Sequence, residues 1–258
     1  EIYKCTATEN GGGVFMNQKG KLFLLGGTVK ECTAKNGGGI YALGPTGGII
    51  TNCVFRNCKA YIGGAVNGGL MADCLATNNW ACSQGGATVN TRIVGSTLRG
   101  NVADWCYGAS YGHCGLFDSL LEDNHAPSDG GAVRQGNAYA ISNCTFRANG
   151  VGQYGGALYV DHASAGGVMD CTFVDNVSSN KQGGAIFVTG KGSVRIERCA
   201  FTGNMVWTNS TSGTGYGGAI YCSAENASNP VVSCAFTNNF AWHAGGAVCN
   251  GDLTNCIL

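Results

Sequence analysis

The hydrophobic and polar positions of this chain form short alternations that recur along its length. The segment Cys-x-Phe-x-x-Asn reads CTFRAN at 144–149, CTFVDN at 171–176, CAFTGN at 199–204 and CAFTNN at 234–239. In an extended chain successive side chains point to opposite faces, so Cys and Phe face one way and the residue between them the other. Looser copies begin at Cys5, Cys32, Cys53 and Cys74, and a partial one at Cys256; STLRGN at 96–101 and SLLEDN at 119–124 carry Ser in the Cys position. The copies start about 25 residues apart. A second pattern, Gly-Gly-Ala plus an aliphatic residue, falls between them at 63–66, 130–133, 155–158, 183–186, 217–220 and 245–248. No 3.6-residue period runs through these stretches, and each repeat is too short for a four-stranded propeller blade.

This pattern predicts an all-β solenoid, a parallel β-helix of about ten coils with about 25 residues per coil, spanning 1–258 as a single domain. Each strand would pair in register with its copies in neighbouring coils, with the Gly-Gly pair making a tight corner. Two inward columns are then expected. Cys5, Cys32, Cys53, Cys74, Cys144, Cys171, Cys199, Cys234 and Cys256 would form a core ladder of free thiols, since Cys packs as a small apolar residue. Asn10, Asn79, Asn101, Asn124, Asn149, Asn176, Asn204 and Asn239 would form a hydrogen-bonded Asn ladder at a turn.

Composition narrows the function classes. The formal net charge is zero with only 15 Lys+Arg, which leaves no electrostatic footprint for nucleic acid or an anionic membrane. No apolar run reaches the roughly 18 residues of a membrane span. Gly is abundant but not spaced every third residue, so collagen is excluded.

The Gly-Gly-Ala-[Ile/Leu/Val] and Phe-x-x-Asn signatures together resemble the repeats of the chlamydial polymorphic membrane proteins, over nearly the whole chain. The resemblance implies a right-handed β-helix of pectin-lyase type, the passenger of an autotransporter adhesin, and hence an extracellular location at a bacterial cell surface. The membrane β-barrel of that family has no counterpart in these 258 residues.

Six cysteines lie off the repeat position. Cys222 with Cys249, Cys58 with Cys82 and Cys106 with Cys114 are read as disulfides outside the core, with Cys82–Cys106 as the rival connection. No spacing suits a metal: Cys-x-x-Cys is absent and a linear thiol ladder cannot form a tetrahedron.

Catalysis on this architecture would need clustered carboxylates beside Arg or Lys. The candidates are Asp161, His162 and Asp170 near one coil, and Asp118, Glu122, Asp123 and Asp129 near another. No Asp pair recurs at one position of adjacent coils, and Gly-x-Ser-x-Gly, His-Glu-x-x-His and P-loop motifs are all missing. The chain is therefore read as a non-enzyme without cofactor or metal, with a polysaccharide lyase or glycosidase as the alternative. A flat Thr-rich face of ice-binding type is a third reading. It is interrupted, because Val54, Leu75, Ala200 and Ala235 break the series Thr6, Thr33, Thr145 and Thr172.

The aromatics point to contact. Trp80, Trp105, Trp207 and Trp242 all fall between the repeat Asn and the Gly-Gly corner, joined by Tyr61, Tyr107, Tyr111, Tyr154, Tyr216 and His243. Coils would stack these segments along one edge. The expected contact surface is Trp80, Trp105, Trp207, Tyr216 and Trp242, with the insertion 205–216 as its best loop, facing a host protein or a glycan. The chain opens and stops within a repeat, without evident caps. It is read as a piece of a longer chain or as a subunit that stacks on itself head to tail. The expected function is a stiff stalk or filament serving adhesion.

Overall fold

The computed structural model describes residues 1–17, 22–44, 46–112, 115–135, 140–161, 166–189, 193–208, 214–223 and 228–258. Among them every regular element is a β-strand. One coil shows how the sequence produces the path. Val168–Met169 is followed by Asp170, which turns the chain at φ 54°; Cys171 and the strand Thr172–Val174 come next, and Asp175 turns again at φ 52°. Asn176 leads into Val177–Ser178, Gly183 makes the third corner at φ 69°, and Ile186–Thr189 closes the coil. Left-handed backbone is costly for most side chains and tolerated by Asn, Asp and Gly. Those residues hold most of the corner positions, including Asn52, Asp73, Asp118 and Asn143 at the first corner and Asn57, Asn78, Asp123 and Asn238 at the second.

Each strand pairs in parallel with its copies in the neighbouring coils. Three sheets result. An 18-stranded sheet combines the strands on both sides of the first corner, which are continuous in Leu22–Lys30 and Gly48–Arg56; a nine-stranded sheet follows the second corner, and a ten-stranded sheet follows Gly-Gly. The chain makes about nine turns of about 26 residues. Coil length, read between successive second corners, runs from 21 residues at Cys58–Asn79 to 35 at Asn204–Asn239.

The Phe of Cys-x-Phe fills the axis. Phe146, Phe173, Phe201 and Phe236 stack with centroids 4.8, 4.8 and 5.0 Å apart and planes within 8° of parallel. Ala76, Leu98 and Leu121 continue the column down to Phe55. All of these except Phe236, which is 5 % exposed, are fully buried, each large side chain contributing on the order of 1.5–3 kcal/mol.

The second corner carries a continuous side-chain ladder. The Oδ1 of Asn149 accepts hydrogen bonds from the backbone N and the Nδ2 of Asn124, at 3.1 and 3.0 Å, while its own Nδ2 donates to the Leu121 carbonyl at 2.9 Å. The same links join Asn79, Asn101, Asn124, Asn149, Asn176, Asn204 and Asn239. A chain that turns at a left-handed residue points one N–H out of the strand ladder, and the next coil's side chain takes it.

The first corner does the same with smaller groups. The Cys74 amide donates to Ser96 Oγ at 3.1 Å, that of Ser96 to Ser119 Oγ at 3.1 Å, and that of Cys199 to Cys234 Sγ at 3.4 Å. Sulfur and hydroxyl oxygen are interchangeable here because both are small inward acceptors. This column holds Cys53, Cys74, Cys144, Cys171, Cys199, Cys234 and Cys256 with Ser96 and Ser119.

Three expected members of these ladders lie elsewhere. Cys5 and Cys32 belong to the second corner: Thr6 bridges Thr33, Thr33 pairs with Lys59 and Lys59 with Trp80, which places Cys5, Cys32 and Cys58 in line with Asn79. The Cys58 amide accordingly donates to Asn79 Oδ1 at 3.0 Å. Opposite Cys53 in the first column stands Gly27. Asn10 sits outside the Asn ladder, one corner later, accepting from Asn36 Nδ2 at 2.9 Å just before Gly11. A thiol and a carboxamide suit the same inward corner, so CTATEN imitates the repeat while standing one corner out of step. Counted by second corners, the same residues give nine coils.

Candidate functional site

Two parts of the outer surface hold the candidate chemistry. The first is the edge between the second corner and Gly-Gly. Register through Ala81, Ala103, Ala126, Val151, Ser178, Val206 and Ala241 stacks the residues that follow them: Cys82, Asp104, Pro127, Gly152, Ser179, Trp207 and Trp242. Trp207 and Trp242 meet edge to face, with centroids 5.0 Å apart at 69°, and remain 52 % and 48 % exposed. Trp105 lies in the same segment of the Asn101 coil and is 70 % exposed. Trp80 differs. It lies in the strand itself, half-buried between Lys59 and Val102. Tyr216 also separates from the edge: it bridges Gln182 and Ala244 directly before the Gly-Gly corner, against Tyr221 and His243. Of the insertion 205–216, residues 209–213 lie outside the described residues.

The second part lies on the outer side of the Gly-Gly-Ala strands. There Phe15, Tyr41, Asn67, Val89, Tyr111, Arg134, Tyr159, Phe187, Tyr221 and Cys249 form one column. Tyr107, Asp129, Tyr154, Gln182 and Tyr216 form the column beside it. Tyr159, Phe187 and Tyr221 stack at 5.1 and 5.4 Å, so their faces are occupied by one another and only ring edges meet solvent.

Arg134 takes the place of a ring in this stack. Its guanidinium carbon lies 3.9 Å from the Tyr107 centroid and 4.9 Å from that of Tyr159. It also reaches Asp161 at 3.2 Å and Asp129 at 3.7 Å. Burial pushes the Asp129 carboxyl up from its ordinary value. Burial, followed by the nearness of Asp129 and Asp161, pushes the Tyr159 phenol up to about 12. Arg134 was not legible as a site residue because its partners come from three coils of different length. The available signal was the pair of positions flanking each Gly-Gly-Ala.

The carboxylates expected to matter for catalysis are dispersed. Glu122 is clamped between Arg99, at 2.5 Å, and Arg147. Asp170 binds Arg198 at 2.7 Å, Asp118 accepts from Asn143 at 2.7 Å, and Asp123 is a corner residue. Only Asp129 and Asp161 are brought together, both on Arg134. His162 lies outside the described residues, within which no group of three or more His, Cys, Asp or Glu is arranged to hold a metal ion.

The expected disulfide partners are separated by the pleat. Cys222 pairs with Val188 on the inner side and is fully buried, whereas Cys249 stands opposite Tyr221 on the outer side. Cys58 is an inward corner residue, and Cys82 lies on the exposed side of the strand Trp80–Gln84. Cys106 and Cys82 are half-buried free thiols in adjacent coils, and Cys114 lies outside the described residues.

A family model described as right handed beta helix region matches residues 1–257. The chain belongs to that family. As a right handed beta helix it is similar to the probable autotransporter YfaL of Escherichia coli (strain K12), at 29 % identity over 141 residues. The match covers 49 % of the chain and 11 % of that much longer relative. Among solved structures, the Agl-KA catalytic domain aligns with 91 % of this beta helix and 62 % of its own length, at 11 % identity and a TM-score of 0.24. At that level of likeness it carries no argument about fold or function.

Proposed function

We propose that this chain is a length of the passenger of an autotransporter-like surface protein, a stiff stalk that serves adhesion through its exposed edge. The observation that carries this reading is the Asn ladder, continuous from Asn79 to Asn239, with the Cys and Ser column beside it; together they hold coil on coil in register and leave the outer edges as the variable surface. The autotransporter relative and the resemblance to chlamydial polymorphic membrane protein repeats support it, as do the exposed Trp105, Trp207 and Trp242. Nothing in the arrangement demands turnover. Brief protease treatment of intact cells making the parent protein, followed by antibody detection of residues 1–258, tests it. Loss of signal without lysis, together with reduced cell attachment when the segment is deleted, is the expected result. Antigen reachable only after lysis contradicts a surface stalk.

A carbohydrate-active enzyme is the second reading, and the observation favouring it is the meeting of Asp129, Asp161 and Arg134. Both carboxylates, however, are held by one guanidinium and are mostly buried, which suits a structural ion pair better than an acid and a base flanking an open cleft. Release of reducing ends from a polysaccharide, abolished by Asp129→Asn, would favour the enzyme.

A further inference from the structure

We infer that the edge between Trp105 and Trp207 is a trough that binds a neutral oligosaccharide lying along the rod axis. This deepens the proposed contact edge and rests on it. The coils of Asn101 and Asn204 are four steps apart, so the two indoles stand roughly 19 Å from each other along the rod. Asp104, directly before Trp105, and Trp207 share one column position, which Pro127, Gly152 and Ser179 fill in the coils between them. Gly152 cannot carry a side chain: a Cβ there would lie 2.1 Å from the Pro127 carbonyl oxygen. Gly152 thus adds no side chain of its own between the two indoles, and the Asn180 carboxamide lies over it, its Nδ2 donating to the Gly152 carbonyl at 3.0 Å.

The chemistry of the floor selects the occupant. Gln153, Ser179 and Asn180 are exposed there, and hydroxyl and carboxamide groups can both donate and accept, as sugar hydroxyls require. The amides of the column residues are already engaged between coils. Gly152 N already donates to the Ala126 carbonyl, Ser179 N to that of Val151 and Trp207 N to that of Ser178, at 3.1, 2.9 and 2.9 Å. With these amides paired from coil to coil, the column itself presents no free edge for strand addition. Asp104 beside Trp105 and Lys181 after Asn180 carry opposite charges, so the surface favours neither an anionic nor a cationic chain. Unlike the rings of the tyrosine column, the indoles of Trp105 and Trp207 keep open surface against which the C–H face of a pyranose can lie.

Tryptophan fluorescence of the purified chain, titrated with cellotetraose, laminaritetraose, chitotetraose and lacto-N-neotetraose, tests this directly. At least one is expected to quench with millimolar or tighter half-saturation. Trp207→Ala and Trp105→Ala should each weaken that binding about tenfold, while Trp80→Phe leaves it unchanged. Ser179→Trp, which fills the trough from an exposed position, should abolish it without moving the melting temperature. Silence from all four sugars overturns the inference, as does binding that survives Trp207→Ala and Ser179→Trp. Binding of a folded protein with no sugar response also overturns it. A surface location established by protease treatment would stand in any of these cases, so failure here is distinct from failure of the stalk.

Discussion

At each second corner from Asn101 to Asn239 a single side chain satisfies two donors from the coil before it and donates to a carbonyl of that same coil. Removing the Asn149 side chain takes the partner from the buried Asn124 amide, one of two partners from Asn124 Nδ2, which keeps the Leu98 carbonyl, and a donor from the Leu121 carbonyl. Asn149→Ala should cost about 1–3 kcal/mol or more in urea unfolding. Cys58→Ala should cost less, because its Sγ makes only weak contacts of 3.6 and 3.7 Å to the Val29 and Arg56 carbonyls. The left-handed positions offer the opposite test. Ala148 holds φ 51°, where its neighbours in the column are Gly100, Asp123, Asp175 and Gly203. Ala148→Gly should stabilise by about 1 kcal/mol by removing a strained Cβ. The buried thiols add a pH dependence. Burial pushes Cys58, Cys74 and Cys222 up to about 12, whereas in the unfolded chain they titrate near 8.5. Between these values the unfolded state loses protons that the folded state retains. Stability is therefore fully present below about pH 8.5 and falls as pH rises towards 12, by up to about 1.4 kcal/mol per unit for each such thiol. Urea midpoints at rising pH should fall accordingly.

At the scale of the element, the repeats from Cys144 onward could be read directly because strand and corner have fixed length there. The strand Thr172–Val174, its corner and Asn176 occupy the same offsets as Ala200–Thr202 and Asn204 one coil later. The N-terminal coils depart from the repeat for a physical reason: Cys serves both inward corners, so Cys5 and Cys32 belong to one column or the other according to what lies opposite them. The Arg134 stack was hidden differently. Tyr107 and Asp129 reach it from positions before the Gly-Gly corner in coils of unequal length, and only the pairing of Tyr111 with Arg134 and of Arg134 with Tyr159 reveals that a guanidinium replaces a ring. Planarity is what the position requires. Arg134→Ala should destabilise by about 3 kcal/mol, since two largely buried carboxylates lose their partner. Arg134→Lys should recover only part of that loss, having charge without a flat face to lie on Tyr107. Thermal melts of the two variants separate these contributions.

Across the whole molecule, each coil touches only its neighbours, so the rod should tolerate the loss of one coil provided that the columns stay in register. Excising residues 177–204 removes one 28-residue coil, Asn204 included, and joins Asn176 to Met205. Every inward position then meets its equivalent: Val151 faces Val206 in place of Ser178, Ala157 faces Ala219, Cys171 faces Cys234 and Phe173 faces Phe236. Stability in such arrays is a sum of repeat and interface contributions, so the shortened chain should melt cooperatively at a somewhat lower temperature. Its β-sheet circular dichroism per residue should be unchanged and its length, by small-angle scattering, about 4.8 Å shorter. Removing 14 residues from the same region should instead give an aggregating or unfolded product, because strands would then meet corners and the Asn and Cys columns would end on unpaired amides. If both deletions behave alike, stability does not reside in the register of the columns. The in-register excision also brings Trp207 one coil closer to Trp105, so a sugar that spans both indoles in the intact chain should bind the shortened rod more weakly while the fold remains intact.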